Sequence, residues 1–210
     1  GGIMPIKISE REYRDFLLAV VPDVEETSKI VRGHASTFMQ PYVLLEDSEF
    51  VIKEQVDNRA FEGADMSDVI FQYDHAGRVF ARTSNNTLKV APDEIGLAIE
   101  ADLGGTDIGA QLYQEIRGGY TNKMSYGYTT LEDSWEESKL EDGRTLALRT
   151  IKRIGKVYDV SAVSLPSNNA TSISVRNLSD GVINEIKAER LKALEIERKR
   201  LQLKLRIREV

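Results

Sequence analysis

The sequence predicts a mainly β protein of the α+β class: a closed β-barrel of seven or more strands with one inserted helix, an N-terminal helix and a C-terminal helical appendage. Three observations lead there. Short runs rich in β-branched and aromatic residues recur between residues 30 and 175, one stretch around residue 110 has helical spacing, and from Asp180 the composition turns to Glu, Lys, Arg and Leu. The expected organisation is an N-terminal helix and lead-in over residues 1–28, the barrel over 29–178, and a charged amphipathic helical tail over 179–210.

At the N-terminal end, Ser9 and Glu12 have the spacing of a capping box, and Tyr13, Phe16, Leu17 and Val20 follow at helical intervals before Pro22. Residues 30–38 read as a strand interrupted by Gly33, and Pro41 breaks the ladder after it. Phe50, Val51 and Ile52 open another extended piece, and residues 59–65 read as an irregular connection. Val69, Ile70, Phe71 and Tyr73 have strand composition, with His75 just past their end and Gly77 offering a turn. Strands are expected again at residues 79–81, 88–90 and 96–103, with a polar loop at 83–87.

Ile108, Leu112 and Ile116, four residues apart, describe one buried stripe of a helix capped by Thr106 or Asp107 and stopped by Gly118 and Gly119. Residues 124–129 then alternate as a strand, with Met124, Tyr126 and Tyr128 on one side and Ser125 and Gly127 on the other. The serine side is expected to be open, Gly127 leaving room for a ligand. Residues 131–142, with six acids and the only tryptophan, read as a solvated loop. Residues 146–154 and 157–165 read as two strands around Gly155, and Ile173 and Val175 as a short last strand. In the tail Leu191, Leu194, Leu201 and Leu205 follow an approximate heptad, although residues 201–207 fit a period of two equally well.

The totals exclude several classes of function. At 210 residues, 41% apolar and 30% charged, the chain is long enough to bury a core, and no run approaches the ~18 apolar residues of a membrane span. No membrane partner is expected. Without cysteine there is no disulfide framework and no thiolate chemistry. The first residues lack the charged segment and apolar core of a signal peptide, which points to the cytoplasm. Residues 183–210 carry nine Lys and Arg against five Asp and Glu, leaving nineteen against twenty-nine before them. So acidic a body argues against nucleic acid as the main ligand. Two histidines 41 residues apart supply no metal-binding spacing, and no cofactor is expected.

A serine nucleophile at neutral pH needs a base within reach, and histidine is scarce here. Ser125 and His75 are the leading pair, each with a bland alternative: a strand serine, and a turn histidine bonded to backbone or water. Asp159 interrupts an apolar strand and is the best-placed acid to orient the imidazole. It could equally point outward or pair with Arg149 or Arg153. His34 is the only other imidazole, and a Ser-His-His arrangement would require it as well.

An ordered set of residues then gives a resemblance. Gly33, Ala35, Ser36 and Phe38, then Ala60 and Phe61, the His75 segment, residues 87–97, 124–128 and 149–154, and finally Asp159, Val160, Ser161 and Pro166 resemble the tailed-phage prohead maturation proteases of the HK97 type. The likeness runs from about residue 30 to 176. It implies a serine endopeptidase with a barrel like that of the herpesvirus assemblin proteases, His75 as base and Ser125 as nucleophile, with Asp159 as the third member. Oxyanion donors would be backbone N–H groups or an Arg-bound water, with Arg149 or Arg153 as candidates. The implied substrate is the scaffolding segment of the major capsid protein, and the protease itself, cleaved inside the procapsid in the host cytoplasm. Self-association is implied too, and residues 180–210 would be a segment removed by self-cleavage. The alternatives are a catalytically silent assembly or scaffolding protein on the same fold, and a small-molecule esterase with a closed apolar pocket beside Ser125.

Overall fold

The computed structural model describes residues 11–16, 21–22, 29–164 and 173–208. Eleven strands and two helices follow in order: β1 Glu12–Phe16, β2 Val21–Pro22, β3 Ile30–Thr37, β4 Tyr42–Glu46, β5 Phe50–Val56, β6 Ile70–Tyr73, β7 Ala76–Arg82, β8 Leu88–Pro92, β9 Gly96–Asp102, α1 Asp107–Arg117, β10 Lys123–Lys139, β11 Thr145–Val163 and α2 Ile173–Arg208. A mainly β protein of the α+β class is what the sequence predicts, with two α-helices among the described residues where three were expected. The closed barrel is not what forms.

The strands divide into two sheets. One has seven strands, in the order β1-β10-β11-β5-β4 with β6 and β7 branching from β11; the other has four, in the order β2-β3-β9-β8. Neither closes on itself. The cause lies in β11, which pairs in parallel with β5 along residues 145–151 and with β6 along residues 159–162. Its two halves therefore hold different neighbours and the sheet forks, while β1 and β4 stay at opposite ends of the strand order instead of meeting.

The larger of two apolar clusters among the described residues draws on both sheets. Val31, Ala35, Leu97, Ile99 and Ala101 from the smaller sheet meet Phe71, Tyr126, Tyr128, Ile151, Val160 and Ala162 from the larger, and Leu112, Tyr113 and Ile116 of α1 join them. Thr106 caps α1 as expected, its side chain accepting from the Gly109 N–H at 3.1 Å. Burying about six such side chains at roughly 1.5–3 kcal/mol each far outweighs any propensity difference among these strands.

Four local expectations are corrected. Residues 12–16 form strand β1 in place of a helix, because they pair antiparallel with β10 from Glu12↔Tyr128 to Phe16↔Met124; Ser9, Leu17 and Val20 lie outside the described residues. The acidic stretch after Leu131 is no loop: β10 continues through it, pairing Asp133 to Lys139 with β11 and burying Trp135. Residues 145–163 are one strand, with Gly155 inside it among register shifts. Ile173 and Val175 belong to α2, whose Val182 and Ile186 are buried against Leu44, Phe50, Ile52 and Trp135. The helical tail thus begins before residue 179, and its first turns dock on the sheet. Farther along, Leu191, Leu194 and Ile196 are exposed.

Candidate active site

Strand alternation and the β10–β11 ladder build one face of the site. Ser125 stands opposite Ser161, and Gly127 opposite Asp159, so these four share a face while Met124, Tyr126, Val160 and Ala162 point into the core. A register shift between Gly127 and Tyr128 marks a bulge beside this group, a common device for aiming side chains. A Cβ at position 127 would lie 2.6 Å from Asp159 Oδ1, so the glycine makes room for the carboxylate.

His75 reaches the same face from a two-residue hairpin. Tyr73 pairs with Ala76, leaving Asp74 and His75 as the turn, both left-handed with φ of 48° and 55°. Two positive φ values in a two-residue loop define a type I′ turn, so the turn falls at Asp74–His75 rather than at Gly77. Left-handed non-glycine residues cost on the order of 1–3 kcal/mol each unless their surroundings hold them. Here they do. Asp74 donates its N–H to the Ala162 carbonyl at 3.0 Å, and its carboxylate accepts from the N–H and hydroxyl of Ser164, both at 2.9 Å. Parallel pairing of β6 with residues 159–162 then carries the imidazole over β11.

The imidazole bridges the two groups proposed to be its partners. Its Nε2 lies 2.5 Å from Ser125 Oγ and its Nδ1 2.5 Å from Asp159 Oδ2. Ser161 Oγ donates to Asp159 Oδ2 at 3.0 Å and sits 3.2 Å from His75 Nδ1. Ser125 and Ser161 are fully buried, Asp159 is nearly so, and the His75 side chain is 18% exposed. Asp159 therefore points neither outward nor to Arg149 or Arg153. His34 is elsewhere, on β3 of the smaller sheet, 2.7 Å from Asp93.

Strand β1 completes the surroundings. The Ser125 hydroxyl donates to the Arg14 carbonyl at 2.9 Å, Arg11 ion-pairs with Asp159, and Tyr13 meets the His75 ring edge-on with centroids 4.5 Å apart. Burial raises the Tyr13 phenol above its ordinary 10.0, Arg11 pulling it down and Asp159 pushing it up. The serine side is accordingly covered, and the space beside Gly127 is filled by Asp159, Arg11 and Tyr13. Arg11, Tyr13 and Ser161 were not singled out as site residues from sequence. Period two in Arg11, Tyr13 and Asp15 was the available signal for the first two, masked by the helical spacing of Tyr13 and Phe16.

On the other side of β1, Glu12 and Arg14 enter a buried ionic cluster. Arg14 donates to Glu54 at 2.6 and 3.1 Å and to Glu12 at 2.6 Å; Arg149 donates to Glu12 at 2.6 Å, to Glu54 at 2.7 Å and to Asp133 at 2.6 Å. Tyr42 also donates to Glu54. Burial alone would push the Glu54 carboxyl up, but Arg14 and Arg149 outweigh it and hold the pKa at about 2. Burial likewise opposes the charge on Arg149, and Glu54 and Glu12 keep its pKa well above the ordinary arginine value. This arginine is engaged on the face opposite Ser125, which removes it as an oxyanion donor; Arg153 is exposed on β11.

Among the described residues, no group of three or more histidine or acidic side chains is placed to hold a metal ion, and no helix is long and apolar enough to cross a membrane. No curated protein and no solved structure matches the chain. A family model described as caudovirus prohead serine protease matches residues 19–184, a span that holds His75, Ser125 and Asp159, and the chain belongs to that family.

Proposed function

We propose that the chain is a serine endopeptidase that cleaves the scaffolding segment of the major capsid protein, and itself, during prohead maturation. The observation that carries this reading is the placement of His75 2.5 Å from both Ser125 Oγ and Asp159 Oδ2. Ser125 is the nucleophile. As it attacks a peptide carbonyl carbon, its proton passes to His75 Nε2 and the C–O bond of a tetrahedral intermediate forms. The imidazolium returns that proton to the leaving amine as the C–N bond breaks, giving the acyl-enzyme. Water then repeats the cycle, and the Ser125 ester is hydrolysed to a carboxylic acid.

Asp159 holds the imidazole with Nδ1 protonated and stabilises its positive charge, and the Ser161 hydroxyl fixes the carboxylate. Family membership supports a proteolytic role in capsid maturation. The work would take place inside the procapsid, in the host cytoplasm, against the capsid subunits enclosed with the enzyme.

The test is incubation with the unprocessed major capsid protein, comparing wild type with Ser125→Ala and His75→Ala and reading products by intact mass. Cleavage by wild type and its loss, by 10³-fold or more, in both variants is expected. Equal processing by all three would overturn the assignment of these residues. Capsid assembly promoted equally by all three, with no cleavage by any, would indicate the silent scaffolding role.

A further inference from the structure

Strand β1 lies where an extended peptide would have to lie to be attacked. It pairs antiparallel with β10 directly over the candidate nucleophile, Asp15 opposite Ser125 and Arg14 opposite Tyr126, and it is the strand at that end of the seven-stranded sheet. Its Arg14 carbonyl accepts the Ser125 hydroxyl at 2.9 Å. A protease that takes extended substrates commonly adds them as a strand to an available sheet edge, main-chain hydrogen bonds giving affinity and alternate side chains giving specificity. With β1 docked, β10 has no such edge over residues 124–128, and Ser125 is 0% exposed.

We infer that the β10 edge is the docking surface for an extended peptide substrate and that β1 is an intramolecular occupant which must detach before the substrate pairs there. The inference rests on Ser125 being the nucleophile. Three further observations support it.

The first is proton placement. A serine hydroxyl has one proton, and while it is donated to the Arg14 carbonyl it is not offered to His75. The second is charge. Arg11 ion-pairs with Asp159, so the carboxylate that should stabilise an imidazolium is already opposed by a cation. Release of β1 removes that cation and leaves Asp159 to His75 and Ser161.

The third is that β1 leaves the net charge of the buried cluster unchanged when it goes. It contributes one carboxylate and one guanidinium to the buried cluster, and the remainder, Glu54 with Arg149 at 2.7 Å and Arg149 with Asp133 at 2.6 Å, stays paired. An isolated buried charge would cost several kcal/mol, and here none is created. The docked strand also bears a penalty of its own: Arg11 Nε is buried with no hydrogen-bond partner. The family match begins at residue 19, after β1 and before every residue of the candidate triad.

The place vacated by Arg14 is lined by Glu54, Tyr42 and Tyr128, and with Asp133 and Arg149 the remaining charges there are net negative. A substrate with arginine at that position, two residues after an acid, would restore the pairings Glu12 and Arg14 make in the ionic cluster.

The chain lacks cysteine, so one engineered pair is unambiguous. Phe16 and Met124 are ladder partners, and antiparallel partners have Cα separations of about 4.5–5.5 Å, within disulfide range. In the double variant Phe16→Cys, Met124→Cys, Ser125 labelling by a fluorophosphonate probe and cleavage of capsid protein are compared before and after reduction. The oxidised form is expected to be at least 100-fold slower in both, with reductant restoring the rate; equal rates in both forms would overturn the inference. Hydrogen exchange on the unmodified chain gives a second reading. Amides of residues 12–16 should exchange at least 100-fold faster than those of 159–162, and equal protection would count against a detachable strand. Should Ser125→Ala cleave as well as wild type, the function itself fails. If Ser125 is essential and the lock has no effect, only the occupant role fails.

Discussion

Gly127 and Asp159 face each other across the β10–β11 ladder, and the missing side chain of one is filled by the carboxylate of the other. A methyl group at 127 would stand 2.6 Å from Asp159 Oδ1 and 2.9 Å from Arg11 Nε, so the carboxylate must swing away and His75 loses its anchor. Gly127→Ala is expected to lower kcat about 100-fold in peptide cleavage with KM nearly unchanged, since displacing a catalytic group by about 1 Å has that order of effect. Thermal melting should move by only a few degrees, because the displaced atoms are side-chain ends. A variant with wild-type kcat would refute the dependence.

Asp74 holds the His75 turn to the end of β11 through Ser164. Asp74→Ala removes both bonds and leaves a residue poorly suited to a φ of 48°, and should cost about 1–3 kcal/mol in denaturant unfolding with a roughly tenfold drop in kcat. Asp74→Gly separates the two effects. It relieves the backbone while keeping the bonds absent, so it should recover part of the stability and little of the rate.

Acid should weaken the fold through Glu54. Its folded-state pKa, about 2, is depressed from an ordinary 4.5, so the unfolded chain binds the proton more readily. The stabilisation is fully present above about pH 4.5 and is lost as pH falls toward 2. Urea midpoints measured between pH 6 and pH 2.5 should fall, and the fall should be shallower in Glu54→Gln, which lacks this titration. That variant should also be about 1–3 kcal/mol less stable at pH 7, because Arg14 and Arg149 exchange their charged acceptor at Glu54 for a neutral amide while keeping Glu12 and Asp133.

The docked and projecting parts of α2 differ in what they cover. A chain ending after Arg190 keeps Val182 and Ile186 in their apolar cluster and should melt within about 2 °C of the full chain; one ending before Val182 uncovers Phe50 and Trp135 and should lose about 3 kcal/mol or more. If the tail is removed by self-cleavage, the cut should fall beyond Arg190, where Leu191, Leu194 and Ile196 are exposed. Intact mass of wild type beside Ser125→Ala checks this.

Much of the fold was legible because its periodicity is strong. Residues 30–37, 70–73 and 96–102 alternate or run apolar as strands, and Leu112 and Ile116 mark α1. The candidate site was legible through scarcity: with two histidines, His75 near a strand end had few competitors. What stayed hidden depends on pairing across long separations. Glu12 and Arg14 look like surface charges until Glu54 and Arg149 are brought to them, and a helical spacing through Tyr13 and Phe16 concealed their common strand face. Likewise the acids after Leu131 read as a solvated loop, and only the ladder to β11 makes them the outward side of a strand that buries Trp135. Barrel closure failed for the same reason, since nothing local announces that β11 will serve two parallel neighbours.

That long strand also sets a timetable. His75 is 50 residues from Ser125 and 84 from Asp159, and the hairpin bearing His75 pairs with the far end of β11. During synthesis, therefore, His75 and Ser125 emerge from the ribosome before the strand that aligns them. Contacts so distant in sequence also form late in folding. A nascent or half-folded chain therefore cannot hold His75, Ser125 and Asp159 in line, and their alignment arrives only with the pairing of β6 to β11.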